Sequence, residues 1–141
     1  MKTLLVGVDG SPESRAAAQK AAELARALGA QLLIAYVIAP FPPVSPSEFG
    51  GVVENWDLAE RNYATALLRE IETACRREVA AVQTTTAIGT AAEALAELAR
   101  APDVEIVVVG HRGRGAVKRL LLGSVADRLV QISPKPVLVV R

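Results

Sequence analysis

The chain has little from which to build a nucleic-acid, membrane or redox function. Its five aromatic residues, Tyr36, Phe41, Phe49, Trp56 and Tyr63, all fall in the first half, which leaves no repeated stacking platform for bases. Its one cysteine, Cys75, excludes an intrachain disulfide, and the helical pattern around it predicts a small, half-buried helix residue. The one histidine, His111, has no second His or Cys to share a metal, so an exposed loop residue is the plain alternative to any site role. Sixteen Lys and Arg against fifteen Asp and Glu leave a net charge of +1, too little for long-range attraction to nucleic acid or an anionic surface. No apolar run approaches the roughly 20 residues of a membrane helix. Met1-Lys2-Thr3 leads straight into a short apolar run and then a polar turn, unlike a signal peptide. These absences predict a cytoplasmic protein with neither nucleic-acid nor membrane partners.

What the chain does have is apolar matter in regular order. A hydrophobic fraction of 51% over 141 residues predicts a single domain, residues 1–141, with one well-filled core. Leu4 to Val8 reads as a strand buried on both faces, and Asp9-Gly10 ends it. Ser11 is then a helix cap, Pro12 suits the first helical position, and Gly29 is the stop after an alanine-rich face. Strands follow at Gln31 to Val37, Val82 to Ala87, Glu105 to Val109 and Val137 to Val140. Helices are expected at about Leu58 to Val79, at Ala91 to Arg100 behind a Thr90–Glu93 capping box, and at Ser124 to Gln131. Pro40, Pro42, Pro43, Pro46 and Gly50-Gly51 predict a long loop from Ala39 to Asp57. Strand alternating with helix implies an α/β fold, a parallel sheet covered on both faces, with its ligand crevice at the carboxyl ends of the strands.

Two junctions are placed at such ends: Asp9-Gly10 and the region Gly110-His111-Arg112-Gly113, followed after nine residues by Gly123-Ser124. Glycines let backbone approach a ligand, and a helix N-terminus attracts anions, so the spacing predicts a phosphate cradle in two parts. It is not a Walker loop: Gly110 and Gly115 have the right separation, but Ala116-Val117 stands where Lys-Ser/Thr is required. Nor is it a dinucleotide fingerprint, because Gly113-Arg114-Gly115 is followed by Lys118 where the third glycine should come.

The remaining pattern, G-x2-G-x9-G-S, resembles the ATP-binding signature of the universal stress protein family. The resemblance extends to the Val8-Asp9-Gly10-Ser11 start, the Gly89 junction, Leu121 to Ala126 and the Lys135 to Val140 end. It implies a Rossmann-like fold of the adenine nucleotide alpha-hydrolase type, with five parallel strands in the order 3-2-1-4-5. It also implies an ATP site in which Gly7, Val8 and Val37 frame the adenine, and Asp9 contacts the ribose or a phosphate-bound Mg2+. Gly110, Gly113, Gly123, Ser124 and Val125 would meet the phosphates there, with His111 and Arg112 in the variable pair of the motif.

Plainer alternatives stand beside these roles: an Asx turn for Asp9, core packing for Val37, a tight turn for Gly110 and Gly113, and a capping pair for Ser124 with Asp127. Arg112, Arg114, Lys118 and Arg119 cluster near the expected phosphates, although Lys118 and Arg119 also fit an ordinary solvated face. The function implied is an ATP-binding stress-response regulator. The alternatives are a slow ATP hydrolase, for which no water-activating residue is evident, and a protein–protein module with a vestigial pocket. The apolar strand Val137 to Val140 would form a sheet edge, and the resemblance implies that it pairs two subunits into a homodimer.

Overall fold

The structure is a computed structural model and describes residues 1–40, 46–114 and 121–141, with the backbone alone for 46–50. Its elements are β1 (Thr3–Val8), α1 (Pro12–Leu28), β2 (Gln31–Ile38), α2 (Pro46–Cys75), β3 (Val82–Ile88), α3 (Ala91–Leu98), β4 (Val104–Gly110), α4 (Ser124–Ile132) and β5 (Val137–Val140). The strands form one sheet in the order β3-β2-β1-β4-β5, and every pair is parallel. This is the fold expected from the sequence.

The apolar runs explain the layering. Leu4 and Val6 point to one face of β1, where they meet the α1 alanines and the Leu67–Leu68–Ile71 part of α2. Leu5 points to the other face and packs with Leu95 of α3, Val107 of β4 and Leu129 of α4. A strand covered on both sides needs no polar alternation, which is why β1 and β4 read as continuous apolar segments. Ala17, Ala18, Ala21, Ala22 and Ala25 let α1 lie close to the sheet. Ser11 caps that helix through its Oγ, which accepts from the Ser14 N–H at 3.1 Å. Gly29 ends it in the left-handed region at φ 66°.

Several local expectations are corrected. Residues 46–57 are not loop: α2 begins at Pro46, while residues 41–45 of that expected loop lie outside the described residues. Proline is tolerated in a first helical turn, and the two glycines cost only about 1 kcal/mol each there. α2 ends at Cys75, not Val79, and Arg76 donates to the carbonyl groups of Ala80 and Val82 just beyond it. Thr90 is the α3 cap residue but makes no side-chain cap bond, and the Glu93 side chain of the expected capping box accepts from Arg128 at 3.0 Å instead. Cys75 is fully buried, not half-buried, and burial pushes its thiol up to about 11.

Candidate functional site

A cleft of about 290 Å³ opens at the carboxyl ends of β1 and β4. In this strand order β1 has β2 on one side and β4 on the other, so the chain leaves these neighbouring strands in opposite directions. A crevice between them is the expected geometric result. Every residue predicted for the site lines this cleft except His111. Ala35 and Val37 of β2, Ala91 and Leu95 of α3, and Val109 provide apolar wall. Asp9, Ser14, Arg112, Arg114 and Ser124 provide the polar part.

Asp9 joins the two halves of the cleft. Its Oδ1 accepts from the Ser11 N–H at 2.9 Å, which is the Asx turn anticipated as its plainer role. Its Oδ2 accepts from the Arg114 N–H at 2.8 Å, across 105 residues of sequence. The Asp9 N–H in turn donates to Ser14 Oγ at 3.2 Å. Burial raises the pKa of the Asp9 carboxyl, but the Ser11 hydroxyl, the Arg114 and Ser11 N–H groups and the Ser14 hydroxyl together outweigh it. The result lies below the usual carboxylate range, so Asp9 is ionised at neutral pH.

The three motif glycines serve close approach, not unusual φ angles, since positive φ occurs at Gly10, Gly29 and Gly89 instead. A Cβ at Gly110 would stand 2.8 Å from the Glu13 carbonyl carbon in the first turn of α1. One at Gly113 would stand 2.5 Å from Asp9 Oδ2, and one at Gly123 would stand 3.0 Å from Arg112 Cα. Gly123, not Ser124, is the α4 cap residue. It has no side chain to offer, so Ser124 is the first helical residue and the expected Ser124–Asp127 capping pair is replaced. The first-turn N–H groups of α4 therefore receive no side-chain cap, and that turn (Ser124, Val125 and Ala126) lines the cleft.

His111 acts through its backbone. Its N–H donates to the Val140 carbonyl at 2.7 Å and its carbonyl accepts from Gly123 N–H, tying the loop to β5 and to the start of α4. Its Nε2 accepts from Arg112 Nε at 3.0 Å. Lys118 and Arg119 lie outside the described residues.

Sequence reasoning left out Ser14, Ala35, Ala91, Leu95, Val109 and Ala126, while Arg114, expected near the phosphates, does line the cleft. The Ser11-x-x-Ser14 spacing carried a signal for the first. The α3 residues were indicated only by topology, because β3 ends at the same edge of the sheet as β1.

The universal stress protein family model matches residues 1–141. A universal stress protein of Thermus aquaticus, named for its place in the 3′ region of a QAH/OAS sulfhydrylase gene, is 33% identical over 148 residues, covering 99% of this chain and 98% of that protein. The structure of universal stress protein UspA from Lactobacillus plantarum superposes with a TM-score of 0.90 at 25% identity, covering 99% of this chain and 97% of that one. A universal stress protein solved in complex with cAMP gives a TM-score of 0.74 at 28% identity, covering 99% and 96%. With the sheet order, the cleft and the glycine spacing in agreement, this chain belongs to the universal stress protein family.

Proposed function

We propose that this chain is an ATP-binding regulatory protein of the stress response, holding the nucleotide between the ends of β1 and β4. One observation carries the reading: an ionised Asp9, a glycine-spaced backbone and a helix N-terminus without a side-chain cap converge on one cleft. The apolar wall suits a purine ring. Two arginines, Arg112 and Arg114, line the cleft against one carboxylate, a balance that favours polyphosphate. That a 28%-identical relative was solved in complex with cAMP supports an adenine nucleotide as the ligand.

Mg2+ fits the reading through Asp9. Among the described residues no three His, Cys, Asp or Glu gather into a metal site. A single ionised carboxylate beside phosphate is the usual protein share of a Mg2+ shell. The ion would neutralise phosphate charge, while Asp9 and the loop hold the ribose-phosphate in place. Holding, not turnover, is the proposed activity. We further propose that it acts in the cytoplasm as a homodimer joined along β5.

Nucleotide-stripped protein, melted with Mg-ATP at about a hundred times its Kd, should be stabilised by roughly 2.7 kcal/mol. For a domain of this size that is a rise in Tm of about 8 °C. No rise with any adenine nucleotide at millimolar concentration would overturn the proposal.

A further inference from the structure

Arg114 has a divided position. Its N–H is bonded to Asp9 in the cleft, yet its guanidinium crosses to α2. There it lies 5.0 Å from the centre of the Tyr63 ring, and its Nη2 donates to the Tyr36 hydroxyl at 3.3 Å. That hydroxyl donates to Glu60 Oε2 at 3.2 Å, and the Glu60 carboxylate also attracts the guanidinium through space without bonding it. Tyr63 meets Tyr36 edge-on at 5.9 Å, and its own hydroxyl donates to the Asp9 carbonyl at 3.4 Å. Gly10 leaves room for that hydroxyl, since a Cβ there would collide with it. Through this one seat α2 touches both halves of the phosphate cradle.

The seat is a weak one for a guanidinium. It offers a ring face, a long bond to a phenol and the unbonded charge of Glu60, and no salt bridge among the described residues includes Arg114. A terminal phosphate offers paired, charge-assisted bonds that match the planar fork of arginine. Resting on the nucleotide reading above, we propose that Arg114 exchanges between two partners: the Tyr63–Tyr36 seat on α2 and the terminal phosphates of a bound nucleoside triphosphate. Helix α2 and the triphosphate then compete for one side chain. Triphosphate binding empties the seat and loosens the middle of α2, whereas adenosine, without phosphate, leaves it filled. The cleft thereby reports the phosphorylation state of its ligand to a helix outside the cleft wall.

Competition has a sign that simple bracing lacks. Removing the seat must strengthen triphosphate binding, because the guanidinium no longer has to be withdrawn from it. Calorimetric titration of Tyr63→Leu with Mg-ATP should show binding two- to five-fold tighter than wild type, the size of an exposed cation–π contact. Tyr63→Phe keeps the ring and should bind ATP as wild type does. Arg114→Ala should bind ATP roughly ten-fold more weakly, as expected for losing a hydrogen bond to a charged group. Adenosine affinity should be unchanged in both Tyr63 variants. In wild type, Mg-ATP but not adenosine should speed amide hydrogen exchange over residues 59–66.

Unchanged or weaker ATP binding by Tyr63→Leu, wild-type ATP binding by Arg114→Ala, or equal effects of ATP and adenosine on α2 exchange would each overturn this inference while leaving the nucleotide site standing. Failure of wild type to bind any adenine ligand would instead remove the nucleotide reading, and this inference with it.

Discussion

Two glycines three residues apart should respond to alanine in opposite ways. At Gly110 the added Cβ meets backbone: the Glu13 carbonyl carbon at 2.8 Å and oxygen at 2.9 Å. Comfortable carbon contacts begin near 3.5 Å, and the Glu13 backbone is fixed within the first turn of α1. Relief requires the start of α1 to move off β4, at an overpacking cost of about 1–3 kcal/mol. Gly110 has no positive φ, so alanine recovers about 0.4–1 kcal/mol by restricting the unfolded chain. The net loss is about 1–2 kcal/mol, a fall in Tm of roughly 3–6 °C.

At Gly113 the Cβ meets the end of the Asp9 side chain, Oδ2 at 2.5 Å, while Asp9 Cγ is a comfortable 3.6 Å away. A carboxylate can rotate, giving up the bond from Arg114 N–H at about 1 kcal/mol for an exposed partner, and the unfolded-chain term nearly cancels that. Gly113→Ala should therefore melt within about 1 °C of wild type but bind Mg-ATP at least ten-fold more weakly. Differential scanning calorimetry and titration calorimetry on both variants decide the matter. If Gly113→Ala melts lower than Gly110→Ala, or binds ATP normally, the contact reasoning fails.

Two further outcomes follow from the site and the sheet edge. Because the folded pKa of Asp9 is depressed, its contribution to stability is full above the ordinary carboxylate range, starts to fall near pH 4, and is lost as pH drops through the lower folded value. Denaturant midpoints of wild type and Asp9→Asn should converge as pH is lowered from 6 to 3, and a constant difference would contradict the assigned ionisation. The edge strand Val137–Val140 should pair two chains, so sedimentation at micromolar concentration should give about twice the chain mass of 14.8 kDa, and a monomer would refute the dimer.

The sheet was legible because its central strands are buried on both faces and its helices begin and end on recognisable residues, Ser11 and Gly29 among them. The first half of α2 was not. From Gly51 to Tyr63 its side chains are almost all exposed, and a core-facing stripe begins only at Ala64, Leu67, Leu68 and Ile71. Val52, Trp56 and Leu58 stay exposed there and add nothing to the core-facing stripe. The prolines and glycines then dominate the local pattern. The cleft was legible as a glycine spacing, but the reason for each glycine was not. Gly110 makes room for α1, and Gly113 makes room for Asp9. Those are facts about chain segments far apart in sequence. Arg114 was legible as a charge near the phosphates, but its contacts were hidden for the same reason, since those partners lie on β2 and α2.

The bond from Arg114 to Asp9 spans 105 residues. Such a link forms only once β4 has docked beside β1, and distant pairings of this kind come at the slow end of folding. A chain still emerging from the ribosome carries Asp9 early but has no second wall to set against it. A nucleotide held as proposed would therefore find no cradle in the growing polypeptide and would stabilise only the finished fold.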